Sequence, residues 1–412
     1  MTAPTKPLGI PEFVTLLAMM VSILALSIDA MLPALGQIGV DLGVSDVNDT
    51  QLIISAMFLG FAAGQIIAGP VSDSFGRKPV IYGGYAVFIV GCMASMMATN
   101  FETMLAGRVL QGLGAAAPRI VSLALVRDGY EGRAMARIMS IVMAIFILVP
   151  AVAPGVGQVT LLFAHWRVIF GLLLLMAVIA LVWFAARQPE TLAVSDRRKF
   201  SVRNIAGGIV EAFGYRAAVG YTIASGIIFG AFLGYLSSAQ QVFQTVYDTG
   251  DLFAVYFGIA ALSIGAASIF NSNAVMRLGM RFLTWRALFA ITFLSGLFLV
   301  PVEMFDGVPP LWSFMVWLLV AFFAVGILFG NFNALAMEPL GHMAGLGAAL
   351  VGSVSTLISL PLGWAVGHLF DNTIMPLVAG FAILVGGENV LTKVSSFSSN
   401  NCEILFFGPS SL

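Results

Sequence analysis

The sequence predicts an all-α polytopic membrane protein with two groups of six transmembrane segments, and composition, apolar runs and loop charge carry that prediction. Of 412 residues, 59% are hydrophobic and 9% are charged, whereas soluble domains carry about 25% charged residues. Runs of about 20 apolar residues cross a bilayer as helices, and a β-barrel would show alternating strands of about 10 residues. Eleven clear runs and one short one are present: 13–35, 50–71, 80–99, 101–126, 138–161, 166–186, 217–240, 251–272, 284–302, 311–335, 345–367 and 374–387.

Basic residues are concentrated in alternate connections between these runs. The N-terminus and the even-numbered connections hold fifteen Lys and Arg residues, whereas the odd-numbered connections hold Arg167 alone together with nine acidic residues. Cytoplasmic loops of membrane proteins carry the excess of positive charge. The N-terminus is therefore predicted to be cytoplasmic, and the regular alternation supports the count of twelve spans.

The longest predicted connection divides the chain into two halves. It covers residues 187–216, is basic, and predicts a cytoplasmic linker between six-helix bundles at 1–186 and 217–387. Two such bundles are typical of parallel repeats in secondary transporters. The run at 374–387 has only fourteen positions, so we expect a short twelfth span followed by an atypical polar tail at 388–412.

Three ionisable residues lie well inside predicted spans: Asp29, Arg108 and Arg119. Each costs at least about 2.5–3.5 kcal/mol at a helix centre, so such groups are functional candidates. Arg108 and Arg119 lie roughly 16 Å apart on one helix face. Simpler alternatives stay open: Asp29 as a helix-end carboxylate near the surface, Arg108 as a structural anchor, and Arg119 as an arginine that snorkels to the interface.

A charged turn joins the second and third spans and carries the clearest motif. Its key residues are Gly69, Asp73, Gly76, Arg77 and Lys78. Gly and Pro permit the tight turn, and the charges can latch to neighbouring helices in one conformation and release them in another. A plain positive-inside turn is the alternative. The order of residues resembles the G-x-x-x-D-x-x-G-R-[KR] signature of the major facilitator superfamily.

Three further segments resemble the Bcr/CflA-type drug–proton antiporters of that superfamily. They are 26–35 in the first span, 108–117 in the fourth, and the helix-breaking stretch in the fifth that contains Pro150, Pro154, Gly155 and Gly157, followed by 166–170. The resemblance implies a gating or leak-preventing role for the fifth span. The simpler interpretation is a kinked helix that packs against its neighbours. Departures are Ala30 and Met31, the Gly157–Gln158 end of the motif, and Arg119.

The resemblance implies the major facilitator fold of two six-helix bundles. It also implies a proton-coupled transporter of the bacterial inner membrane that exports small, mostly apolar compounds, such as antibiotics, by alternating access. Asp29 and Arg108 are predicted to form the proton-linked core, with charged Asp29 pairing with Arg108 or with a cationic ligand. The predicted substrate-cavity residues are Asp29, Gln111, Arg119, Tyr235, Gln240, Asn331 and Asn333.

Two other functions compete with this prediction. A proton-coupled importer of a small metabolite on the same fold is the alternative within this class. An intramembrane enzyme is disfavoured because His165, His342 and His368 lie in or near loops without a catalytic cluster, and the absence of a P-loop motif excludes ATP as the energy source. We expect small molecules, protons and lipid as partners, a monomer, and no nucleic acid, cofactor or metal.

Overall fold

A computed structural model describes residues 8–197 and 200–387, and the regular secondary structure within these ranges is helical. The predicted tail at 388–412 lies outside the described residues, as do Lys6, Arg198 and Lys199, which contributed to the charge pattern. The helices that correspond to the first six predicted spans are α1 (Ile10–Asp29), α2 (Leu35–Asp41), α3 (Leu52–Phe75), α4 (Arg77–Met96), α5 (Phe101–Gly129), α6 (Gly132–Phe163) and α7 (Arg167–Arg187).

The second half continues the same architecture. Its helices are α8 (Val202–Gly214), α9 (Arg216–Gln240), α10 (Phe253–Leu278), α11 (Met280–Met304), α12 (Leu311–Met337), α13 (Ala344–His368) and α14 (Met375–Gly387). In the described part of the chain, eleven helical segments are long and apolar enough to cross a membrane, and α14 is a shorter apolar helix. The all-helical fold and the atypically short twelfth segment are therefore confirmed.

Three local features differ from the predicted spans. The first span was predicted as one run, but α1 ends at Asp29 and a 3₁₀ turn at Leu32–Ala34 precedes α2. Pro33 lies in that turn and has no backbone N–H with which to continue an α-helix. The predicted linker contains an amphipathic helix, α8, and α9 is extended by a π-helix at Gln241–Val246.

Internal contacts divide the chain into two compact units. Unit 1 contains Met1–Ser201 and Leu236–Gly265, and unit 2 contains Val202–Tyr235 and Ala266–Leu412. The end of α9 and the first half of α10 thus group with the first six spans. The division into six-helix bundles at 1–186 and 217–387 stays a prediction.

Glycines allow the helices of unit 1 to pack backbone against backbone. A side chain at Gly112 of α5 would collide with the Met57 carbonyl of α3, and one at Gly60 of α3 would collide with the Val109 carbonyl of α5. Small residues let membrane helices approach closely where no hydrophobic effect drives them together. This packing fixes α5, which carries both intramembrane arginines, against its neighbours.

Candidate functional site

Asp29 is the last residue of α1 and lies in the interior of unit 1. Its side chain is 4% exposed. The structure assigns it no hydrogen bond or ion pair with any described residue. A buried carboxyl group without a partner at a break in a membrane helix is the arrangement expected of a proton-binding group.

Arg108 is fully buried and ties three helices together beside Asp29. Its guanidinium donates to the Ser27 carbonyl oxygen at 2.9 Å and to the Gln111 Oε1 at 2.5 Å, while its Nε donates to the Ile53 carbonyl oxygen at 3.3 Å. The Ser27 carbonyl belongs to the last turn of α1, whose carbonyls lack helical partners and attract cations. Arg108 therefore caps α1, and the predicted ion pair with Asp29 is absent from the salt bridges of the described residues.

Gln111 holds Arg108 in this orientation. It is fully buried, and its amide nitrogen donates to the Gly91 carbonyl oxygen at 3.1 Å and to the Ser95 hydroxyl at 2.9 Å. Its oxygen is bound to Arg108 of the same helix and its nitrogen to α4, so its predicted place in the cavity wall has no support in this geometry. Its contacts give it a positioning role.

Arg119 has a different environment from Arg108. It is partly buried, and its guanidinium carbon lies 4.6 Å from the centre of the Phe146 ring on α6. Among the described residues, the structure gives it no hydrogen bond and no ion pair. α5 continues to Gly129, ten residues or about 15 Å further. The snorkelling interpretation of Arg119 stays a prediction.

The two glycines of the fifth-span motif have unequal surroundings. A Cβ at Gly157 would overlap the Ala30 carbonyl and lie 3.0 Å from the Pro33 Cγ, whereas one at Gly155 would meet nothing within 4 Å. Gly157 thus lets α6 contact the chain immediately after Asp29. Pro150 and Pro154 lie within α6, which remains one continuous helix of 32 residues.

The charged turn between α3 and α4 is centred on Arg77. Its guanidinium pairs with Asp73 at 2.5 Å and with Asp128, at the end of α5, at 2.9 Å. The Arg77 side chain is 8% exposed, whereas that of Asp73 is 44% exposed. Nothing in the sequence indicated that Asp128 pairs with Arg77, because the two residues are 51 positions apart. The only signal was an acidic residue directly after Arg127 at the end of the fourth span.

Glu190 completes this cluster and was also missed. Its carboxylate accepts from the backbone N–H groups of Arg77 at 2.9 Å and Lys78 at 3.0 Å, at the start of α4. A carboxylate at a helix N-terminus satisfies N–H groups that lack helical partners and complements the helix dipole. The Lys78 ammonium donates to the Gln188 carbonyl oxygen at 2.6 Å. The turn is therefore attached to the C-terminal ends of both α5 and α7.

Of the two glycines in the turn, only Gly76 has a backbone conformation that favours glycine. Gly76 has a φ of 103°, a conformation that favours glycine, and joins α3 directly to α4. Gly69 lies in α3 with open space beside it, and its carbonyl oxygen accepts from the Ser72 hydroxyl at 2.9 Å.

A cluster of amide side chains forms at the C-terminal end of α9 within unit 1; we call it the amide cluster (Asn48, Gln51, Gln240, Gln241 and Gln244). Gln241 donates to Asn48 Oδ1 at 3.0 Å and accepts from Gln51 Nε2 at 3.1 Å, and Gln51 is fully buried. Gln240 donates to Gln244 at 2.8 Å and lines a pocket of about 400 Å³. The sequence pointed to Gln240 but not to its hydrogen-bond partner Gln244.

The predicted residues of unit 2 divide into buried and exposed groups. Tyr235 is buried with its ring 4.7 Å from that of Phe322, in an edge-to-face contact. Asn331 is 2% exposed and accepts from the Asn271 side chain at 2.8 Å, which joins α12 to α10. Asn333 is exposed. Asn331 therefore connects helices, and its burial leaves little access for a ligand.

The described ranges contain neither a metal-binding cluster of residues nor a disulfide. Residues 8–197 and 200–387 hold no group of three or more His, Cys, Asp or Glu residues suited to a metal ion. Cys92 is a buried free thiol, and Cys402 lies outside the described residues.

An all-helical membrane chain with charged groups buried between helices and a charged cytoplasmic-type turn defines a membrane transporter as the class of protein. The family profile of the Major Facilitator Superfamily matches residues 15–387, and the chain belongs to that superfamily.

Similar curated proteins agree with this assignment. An uncharacterized MFS-type transporter, YdgK of Bacillus subtilis, is 30% identical over 371 residues, covering 88% of this chain and 90% of that one. A bicyclomycin resistance protein homolog of Haemophilus influenzae is 31% identical over 360 residues, covering 85% and 87%. The resemblance to the Bcr/CflA-type branch is thus confirmed.

Solved structures show the same fold at low sequence identity. The peptide transporter POT superposes with a TM-score of 0.75 at 15% identity, covering 96% of this chain and 95% of that chain. A D-xylose–proton symporter superposes with a TM-score of 0.71 at 15% identity, covering 93% and 95%. The chain is a multi-pass transporter, and the prediction that it is not an enzyme is confirmed by its family.

Proposed function

We propose that this transporter exports small, mostly apolar compounds from the bacterial cytoplasm in exchange for protons. Relatives named for bicyclomycin resistance and multidrug resistance, at 31% and 27% identity, support export of drug-like compounds. The unequal distribution of basic loop residues supports an N-terminus in the cytoplasm of an inner-membrane protein. We also propose that the protein is a monomer surrounded by lipid.

The observation that carries the proposal is the unpartnered carboxyl group of Asp29. Burying a charge in a membrane costs several kcal/mol, whereas a protonated carboxyl group carries no charge. Asp29 therefore binds a proton when the site is empty. It releases that proton when a cationic group of the ligand, or water, reaches the carboxyl group. Proton and ligand exclude each other, which is the requirement for exchange transport.

Arg108 supports this role without binding the proton itself. Its bond to the Ser27 carbonyl fixes the end of α1 two residues before Asp29. If Arg108 instead paired with Asp29, the carboxylate would stay charged and occupied. The capped arrangement keeps the cation nearby while leaving the carboxyl group free.

The side chains of unit 2 supply an apolar surface of the kind that such compounds need. Phe229 and Phe232 on α9 contact Phe329 on α12 with ring centres 5.8 and 5.7 Å apart, and Phe232 also contacts Phe322 at 5.5 Å. Aromatic clusters bind varied apolar ligands through area and ring contacts rather than through fixed polar bonds. Broad selectivity for apolar compounds follows from such a surface.

Alternating access also needs contacts that form and break in each cycle. The amide cluster fits this need because each neutral hydrogen bond contributes only about 0.5–1.5 kcal/mol. We assign it to the outer side, since the predicted orientation places the C-terminal end of α9 there. The Arg77 cluster lies on the cytoplasmic side, where exposed Asp73 is the member most easily released. The proton gradient drives such exchanges, and the membrane potential adds about 2.3 kcal/mol per 100 mV for each net charge moved.

Vesicle transport tests the proposal. Inverted membrane vesicles with an acidic interior should accumulate tetraphenylphosphonium, a lipophilic cation, when they contain the parent protein. Asp29→Asn should abolish this pH-driven accumulation, because an amide cannot release a proton, yet it should permit exchange of labelled for unlabelled probe. Accumulation by Asp29→Asn at the parent rate, or proton-driven uptake in the opposite direction, would contradict export coupled through Asp29; the second result would indicate an importer.

A further inference from the structure

Arg119 is the intramembrane charge for which the proposed proton cycle has no use. Its guanidinium rests on the Phe146 ring and has no hydrogen-bond or ion-pair partner among the described residues. Arg108, by contrast, has its donors directed to two carbonyl oxygens and one amide oxygen. A guanidinium offers five donors in a rigid fork that matches oxyanions. Arg119 thus presents unused donors within the membrane-spanning part of unit 1.

Arg119 and Asp29 do not form an ion pair, because the structure gives neither side chain a charged partner among the described residues. Ser122 of α5 lies beside Met20 of α1, with its hydroxyl 3.9 Å from the Met20 sulfur. Counting 1.5 Å per residue from this contact places Arg119 roughly 10 Å from Asp29 along the bundle. An anionic end held by Arg119 therefore lies at a separate point from the carboxyl group that exchanges the proton.

Contact with Phe146 also explains how an unpaired cation is held ready. A guanidinium over an aromatic ring is attracted by the negative face of the ring, and the edge of its plane, where the N–H groups point, stays free. The same contact presents an apolar surface next to the charge. Such a site suits the anionic end of an otherwise apolar molecule.

The geometry points to Arg119 as the recognition group for an anionic substituent, a sulfonate or carboxylate, on apolar substrates of this transporter. This inference rests on the proposed export of apolar compounds and adds a substrate class to it: amphiphilic organic anions. Partial desolvation makes a charge-assisted pair between guanidinium and oxyanion strong and geometrically specific. The transporter should therefore distinguish an anionic compound from its neutral analogue through this one side chain.

Two probes that differ by a single sulfonate test the inference. 1-Anilinonaphthalene-8-sulfonate is the anion, and N-phenyl-1-naphthylamine is its neutral counterpart. Binding to full-length protein in nanodiscs is measured by equilibrium dialysis, with empty nanodiscs subtracted. Arg119→Gln should raise the Kd of the anion at least tenfold and leave that of the neutral probe within twofold. Arg119→Lys, which keeps the charge, should restore most of the anion affinity.

Arg286→Gln is the matched control, because Arg286 lies 4.8 Å from the Phe282 ring and is exposed in unit 2. It should change neither Kd. Binding of the neutral probe shows that each variant is folded. Equal loss of both probes in Arg119→Gln, or no loss of either, overturns the anion site while the proposed export stands. If the parent binds neither probe, export of apolar compounds is itself contradicted, and the inference fails with it.

Discussion

Gly157→Ala is expected to destabilise the contact between α6 and the end of α1. The added methyl group would overlap the Ala30 carbonyl and press on Pro33, with Cβ 3.0 Å from the Pro33 Cγ. Overpacking of this kind costs about 1–3 kcal/mol. Gly→Ala within a helix also contributes about 0.5–1 kcal/mol of stability, so the clash and the helix propensity act in opposite directions.

Gly155→Ala separates these two effects, because it makes the same chemical change two residues away in open space. It should be neutral or stabilise the protein by up to about 1 kcal/mol. The difference between the two variants therefore isolates the clash, at about 1–3 kcal/mol. Thermal unfolding of the purified proteins in one detergent measures it, with Gly157→Ala melting several degrees below Gly155→Ala. Proton-driven transport should fall in the Gly157 variant alone, because the added methyl group pushes α6 away from Ala30, the residue that follows Asp29.

Equal melting temperatures and equal transport in the two variants would refute this reasoning. That result would mean that α6 does not contact the end of α1 as closely as the structure shows. It would also remove the physical basis for treating Gly157 as part of the proton site.

Three further outcomes are expected. Asp73→Asn should slow transport several-fold while leaving equilibrium binding of tetraphenylphosphonium within twofold, because it loosens a conformational contact without touching the cavity; a parallel fall in binding would contradict the latch. Gln241→Leu removes two neutral hydrogen bonds, about 1–3 kcal/mol together, and should raise hydrogen exchange in 47–51 about tenfold; unchanged protection would exclude a gate there. In a chain without its native cysteines, an impermeant thiol reagent outside intact cells should label a cysteine at Asp46 and miss one at Arg133, and the reverse pattern would invert the topology.

Hydropathy and loop charge were sufficient to predict the fold, because lipid leaves few solutions for a chain with so many apolar runs. The break after Asp29 was not predicted. Ala30, Met31 and Leu32 are as apolar as a helix interior, and hydropathy does not register the loss of helical hydrogen bonding that Pro33 causes. The end of α1, and hence its capping by Arg108, therefore became visible only in three dimensions.

Rarity of charge in the membrane identified Asp29, Arg108 and Arg119 correctly as buried or partly buried groups. Their partners depend on side-chain direction and helix rotation, which spacing along one helix does not define. Spacing placed both arginines on one helix face, yet Arg108 donates three hydrogen bonds and Arg119 donates none among the described residues. Asp128 and Glu190 escaped notice because loop charges are common and their contacts with Arg77 are distant in sequence.

Proton release on ligand binding tests the central claim, that Asp29 exchanges a proton for substrate. Tetraphenylphosphonium is added to purified protein in weakly buffered detergent solution, and a pH-indicator dye follows the protons released as binding is measured in parallel. The parent should release close to one proton per bound cation, and Asp29→Asn should bind the probe without releasing any. Equal proton release from the parent and Asp29→Asn, or binding to the parent with no release, would contradict the account.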